Sequence, residues 1–160
     1  MANKTDKLDQ FSAVKIKHLE FIQTIVTRLN TNSFLIKGWS IAIVSAILAI
    51  VAGTKQNRFL LIGIGVAIVF WLLDTYYLTQ ERRFRGLYSD VAGISEKPKI
   101  IKDFAMRPDL YTGGRYSYLC VFFSPTIIFL YLPIVAALVI IFLYFVEPSS
   151  IAKPSAIQPG

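Results

Sequence analysis

The sequence holds one histidine, His18, and one cysteine, Cys120. A zinc site needs three or four ligands, and no cluster here supplies them, so no metal and no cofactor is expected. A lone cysteine forms no intrachain disulfide and leaves the redox compartment open. The only histidine falls on the apolar face of a helical pattern, which removes any Ser/His/Asp set. No pair of carboxylates projects from one segment into an apolar site. The expectation is therefore a protein with no catalytic residues, not an enzyme. Nor is there a phosphate loop: Gly113-Gly114 lacks the longer glycine spacing and the Lys-Ser/Thr ending.

Acidic residues are scarce as well. There are 10 against 17 lysines and arginines, for a net charge of +7. The basic residues lie beside apolar runs and no recognition motif accompanies them, so no nucleic acid is expected as a partner. The N-terminal arm is charged throughout, with no short apolar stretch ending at a small-residue cleavage site. That pattern points to a first span that inserts uncleaved, as an anchor.

What the chain has in abundance is apolar sequence: it is 54% hydrophobic, with a mean hydropathy of +0.54. Three long runs account for this, at residues 34–52, 59–78 and roughly 125–146. Inside them the only formal charges are Lys37 and Asp74. A helix needs about 20 apolar residues to cross a ~30 Å hydrocarbon core, and all three runs reach or approach that length. The predicted class is all-α: a single helical membrane domain over 1–160 with the bilayer as its first partner. Its parts are an amphipathic helix at 8–30, spans at 34–53, 59–78 and 124–146, a basic cytoplasmic loop at 79–116, and a disordered tail at 147–160.

Charge sets the expected orientation. Lysine and arginine stay on the cytoplasmic side of short loops. The arm carries Lys4, Lys7, Lys15, Lys17 and Arg28, and the long loop carries eight more, from Arg82 to Arg115. The first turn has only Lys55 and Arg58, and the tail only Lys153. This places the N-terminus in the cytoplasm and the C-terminus in the periplasm or outside, in a bacterial inner membrane. Arg82, Arg83, Arg85, Lys97, Lys99 and Lys102 are the candidate contacts for anionic lipid headgroups or a soluble partner, at about 1 kcal/mol per basic residue near the surface.

Within the arm, Leu8, Phe11, Val14, His18, Phe21, Ile22, Ile25 and Leu29 recur at spacings of three and four. The helix either lies on the inner membrane face or packs on the central loop; alternatively, steps such as Phe11–His18–Ile25 form an oligomerisation seam. Thr31-Asn32-Ser33 is expected to interrupt it and cap the first span. The short polar connection after Gly53 makes spans one and two an antiparallel hairpin. Small residues, Gly63 and Gly65 on span two and Ala42, Ser45, Ala46 and Ala49 on span one, are plausible helix contacts.

The hairpin carries a geometric prediction. Both helices rise about 1.5 Å per residue, so reflection about the turn brings Lys37 level with Asp74. Charges within a membrane helix usually pair. A Lys37–Asp74 ion pair is expected near the cytoplasmic headgroups, either locking the hairpin or gating it, with Trp39 and Trp71 as interface anchors. Span two should continue into the cytoplasm without a breaker until Gly86. Ile100, Ile101, Phe104 and Met106 form an apolar patch, a small interfacial helix or a lid. Ser124-Pro125 starts span three, and Pro133 should kink it and is the hinge candidate.

Two blocks carry a resemblance. They are Phe21-Ile22-Gln23, Arg28 and Asn32-Ser33-Phe34-Leu35-Ile36-Lys37-Gly38-Trp39, then Phe70-Trp71-Leu72-Leu73-Asp74-Thr75-Tyr76-Tyr77-Leu78 with Gln80-Glu81-Arg82 and Phe84-Arg85. Together they resemble a group of small uncharacterised bacterial multi-pass membrane proteins. In plan, the chain also resembles the SLATT class of membrane effectors, departing from it in having a third span. That likeness implies an oligomeric, membrane-permeabilising defence effector, most simply a homo-oligomer. Two other readings stay open: a membrane-anchored scaffold or accessory subunit that docks a soluble partner, and a small-solute or ion transporter using Asp74. No span offers an obvious polar stripe to line a pore, and no internal repeat suggests a transporter.

Overall fold

A computed structural model describes the backbone of residues 4–146 and the side chains of residues 12–145. All regular structure among these residues is helical: α1 (Lys4–Thr54), α2 (Arg58–Ala92), α3 (Tyr118–Phe122) and α4 (Pro125–Val146), with single 3-10 turns at Pro108–Leu110 and Gly114–Tyr116. α1, α2 and α4 are each long and apolar enough to cross a membrane. The tail at 147–160 and the side chains of Leu8 and Phe11 lie outside the described residues.

α2 is the central element. α1 packs along one side of it and α4 along another, while the backbones of α1 and α4 stay apart. At one end, Val44, Val51, Leu60, Ala67 and Leu138 form a buried apolar cluster. Gly63 makes the close approach possible, since a Cβ there would stand 3.3 Å from the Ile47 side chain and 3.6 Å from Leu138. The other expected small-residue contacts are not used: Gly65, Ala42, Ser45, Ala46 and Ala49 are all exposed. Branched residues of α1 take their place against α2, filling the gap with more apolar area.

The arm and the first span are one helix of 51 residues, with no interruption at Thr31-Asn32-Ser33. The reason is energetic. Each of these residues costs only a few tenths of a kcal/mol of helix propensity relative to the best formers, whereas a break frees several backbone groups that need partners. Nor is the Ser33 hydroxyl spent on a cap; it bonds sideways to Asp74 at 2.5 Å. α1 ends at Lys55, which takes a left-handed φ of 54° and returns its N–H to the Val51 carbonyl.

α2 runs straight through Gly86 and stops at Gly93, φ 78°. The Gly93 and Ile94 N–H groups close back on Asp90 and Ser89, as a left-handed glycine stop requires. α4 begins at Pro125. The Ser124 carbonyl accepts from Ile127 and Ile128, but the Ser124 hydroxyl makes no capping bond. The helix continues through Pro133. Phe129 loses its helical N–H partner there, while Pro133 itself sits exposed at a shallow groove beside Ile41 and Val44 of α1.

Beyond the spans, the extensions of α1 and α2 form a cap with the 93–117 loop. Ile22, Leu87 and Tyr111 are its buried core, with Val26, Phe84, Met106 and Tyr116 around them. The arm therefore packs on the central loop, the second of its two expected positions. His18 is buried: its Nδ1 accepts the Phe104 N–H at 3.3 Å, and its ring lies 5.7 Å from the Phe104 ring. The apolar patch of the loop forms no helix. Ile101 and Met106 turn inward to the cap, Phe104 lies against His18 and Phe21 with about half of its surface exposed, and Ile100 faces out.

Candidate functional site

Lys37 and Asp74 meet at the junction of spans and cap. Lys37 Nζ donates to Asp74 Oδ1 at 2.7 Å and lies 2.7 Å from Oδ2, although only the first contact has hydrogen-bond alignment. The same ammonium donates to Ser33 Oγ at 2.7 Å, and Ser33 Oγ donates in turn to Asp74 Oδ1. Ser33 and Lys37 sit one turn apart on α1, so both reach one carboxylate on α2. Asp74 is fully buried and the Lys37 side chain is 22% exposed. The Tyr131 hydroxyl of α4, also buried, faces the carboxylate; it is a donor without another partner among the described residues, beside an Oδ2 with capacity to accept. All three spanning helices thus contribute to one polar knot, in which Lys37, Ser33 and Asp74 Oδ1 are bonded to one another while Asp74 Oδ2 and the Tyr131 hydroxyl make no aligned hydrogen bond.

The two tryptophans have different environments. Trp39 is 62% exposed and points away from the bundle, suited to a lipid interface. Trp71 is half-buried, stacked on Phe122 at 4.7 Å and on Tyr131 at 5.9 Å. Its Nε1 donates to the Phe122 carbonyl at 3.4 Å. Trp71 therefore fastens α2 to α3 and α4.

A latch closes the cap. The Tyr111 hydroxyl donates to Asp90 Oδ2 at 2.5 Å, the Lys99 N–H donates to the same oxygen at 3.2 Å, and the Lys99 ammonium lies 4.2 Å above the Tyr111 ring while donating to the Leu110 carbonyl. Burial, then the Asp90 hydrogen bond and charge, push the Tyr111 phenol above its ordinary value of 10.0. A raised folded value means the neutral phenol's contribution is fully present below that ordinary value. It is lost only as pH rises through the higher folded value. Absorbance titration of the wild type against Tyr111→Phe should therefore show the Tyr111 phenol still protonated at about pH 11, where exposed phenols ionise. Asp90→Asn should bring its titration down, and Tyr111→Phe should remove it. A titration in which Tyr111→Phe changes nothing would rule the latch out.

Between α1, α2 and the loop lies a cleft of about 700 Å³. Arg82, Arg85 and Arg115 enter it, with Asn30, Gln23 and Tyr116 among its other walls. Arg82 and Arg85 stand on α2 almost a turn apart. Arg115 arrives from the loop, its guanidinium donating to the Tyr116 hydroxyl at 2.7 Å. Of the other expected contact residues, Lys97 and Lys102 are exposed outside the cleft, Lys99 belongs to the latch, and Arg83 is half-buried elsewhere with its Nε unpaired.

Ser33, Tyr131, Asp90, Tyr111 and Arg115 were not singled out as site residues from sequence. Ser33 alone had a local signal, its i,i+4 spacing to Lys37. Among the described residues no group of three His, Cys, Asp or Glu could hold a metal ion. No family model matches the chain, and no curated protein or solved structure matches it.

Proposed function

We propose that this chain is a non-enzymatic protein of the bacterial inner membrane whose spans anchor a cytoplasmic cap, and that the cap docks a ligand or soluble partner. The observation that carries this reading is the pairing of a buried Lys37–Asp74 ion pair with an open basic cleft above it. Lys37, Ser33 and Asp74 are bonded to one another, which suits a lock better than a site that must bind and release an ion. α1 and α2 cross from span to cap without a joint, so the cap is held at a fixed height above the lipid. The N-terminus and cap belong on the cytoplasmic side by their charge.

Induced expression in a bacterial host, with depolarisation and propidium entry as readouts, tests it. An anchor leaves both unchanged at membrane levels matched to an Asp74→Asn variant. Depolarisation by the wild type that is lost in Asp74→Asn would overturn the anchor reading. It would favour the second one, an oligomeric permeabilising effector. What supports that second reading is the wide exposed apolar surface of the spans, including Ile41, Ile50, Ile62 and Val69, which could serve subunit packing as well as lipid.

A further inference from the structure

We propose that the cleft bounded by Arg82, Arg85 and Arg115 is a binding site for a phosphomonoester, with a membrane lipid headgroup as its source. This rests on the anchor reading and names the ligand class of its cap. Charge is the first argument. Arg85 is paired with Glu81, Nε to Oε1 at 2.7 Å. Arg82 makes no ion pair or hydrogen bond among the described residues, and Arg115 bonds only the neutral Tyr116 hydroxyl and lies over its ring at 4.9 Å. Three guanidiniums against one carboxylate leave a local excess of about two positive charges. A phosphomonoester carries about −1.5 to −2 at neutral pH. Arginine's planar fork matches phosphate oxygens two at a time.

Shape and depth are the second and third arguments. The volume falls in the range of small-ligand sites, and Asn30 and Gln23 add neutral amide donors within the same walls. Twenty residues of helix from Phe59 cover about 30 Å and end near Leu78. Arg82 lies four residues further, about 6 Å beyond the hydrocarbon edge. The headgroup layer is roughly 5–8 Å thick on each side. The cleft therefore opens at the height of lipid phosphates.

The test uses the full chain in neutral detergent, with thermal unfolding followed by circular dichroism. Four probes are titrated: short-chain phosphatidic acid, diacylglycerol of the same chain length, phosphatidylcholine and inorganic phosphate. Saturable stabilisation by phosphatidic acid, and by neither neutral lipid, is the expected result. Arg82→Gln with Arg115→Gln should weaken it by about tenfold or more for each arginine removed. Lys97→Gln with Lys102→Gln, which removes equal charge outside the cleft, should leave it within about twofold. Arg82→Gln alone breaks no internal bond, so it keeps the test valid if the double variant folds poorly. Inorganic phosphate acting as strongly as phosphatidic acid would keep the phosphate site and overturn its lipid source. No saturable stabilisation by either phosphate, or equal loss in the lysine variant, would overturn the site. Host depolarisation is a separate readout, so a failed anchor reading and a failed cleft are distinguishable.

Discussion

Lys37→Met is expected to destabilise the folded protein by about 3–5 kcal/mol, the cost of stranding a buried charge by removing its partner. Asp74→Asn should cost less, about 1–3 kcal/mol. The order follows from where each group sits. Asp74 is fully buried, so without the ammonium its carboxylate keeps only the Ser33 hydroxyl and the nearby Tyr131 hydroxyl. It is then left without its counter-charge in an apolar setting. Lys37 is partly exposed at the cap end of its span, and its four-carbon stem lets the ammonium reach the headgroups once Asp74 is replaced by a neutral residue. The double variant Lys37→Met with Asp74→Leu removes both charges and should recover much of the loss, since apolar replacement of a buried pair is often neutral. Reversible unfolding in mixed micelles, run as a double-mutant cycle, measures the coupling. Additive single effects would show that the pair is not a lock.

The spans, their number and the Lys37–Asp74 contact were all legible because each depends on local quantities. Hydropathy over about 20 residues marks a span, and a short turn converts sequence position into height through the helical rise. The interruption at Thr31-Asn32-Ser33 was misread because capping residues were weighed without the long-range partner that occupies Ser33, 41 positions away. Small residues along α1 were misread in a related way. Composition shows where helices could approach, but the face that does approach is chosen by Ile47, Val44 and Leu138 fitting around Gly63. The cleft was half legible. Arg82 and Arg85 carry a spacing that puts them on one side of α2, while Arg115 comes 30 residues later after an irregular loop. Nothing periodic ties that loop to the helix; it is placed by Tyr111 and His18, single contacts over 21 and 86 positions.

Gly86→Val is expected to release the loop from the cap while leaving the spans intact. In an exposed helix, replacing glycine with alanine gains about 1 kcal/mol of propensity, so a neutral site would favour the change. Here a Cβ would stand 2.8 Å from the Tyr111 ring and 2.8 Å from the Tyr116 hydroxyl. Neither neighbour is free to yield. Tyr111 is pinned between Asp90 and Lys99, and the Tyr116 hydroxyl holds Arg115. Overpacking typically costs about 1–3 kcal/mol, and valine adds two methyl groups and a β-branch to the clash. The loop is the part that gives, because its buried core is three residues while the spans share larger contacts. Hydrogen exchange should show lost protection over residues 94–116, with amides of 59–78 unchanged. Arg115 then leaves the cleft, so phosphatidic acid binding should fall with it. Gly86→Ala should show the same pattern at smaller amplitude. Unchanged protection in both variants would mean that the loop does not rest on α2 at Gly86.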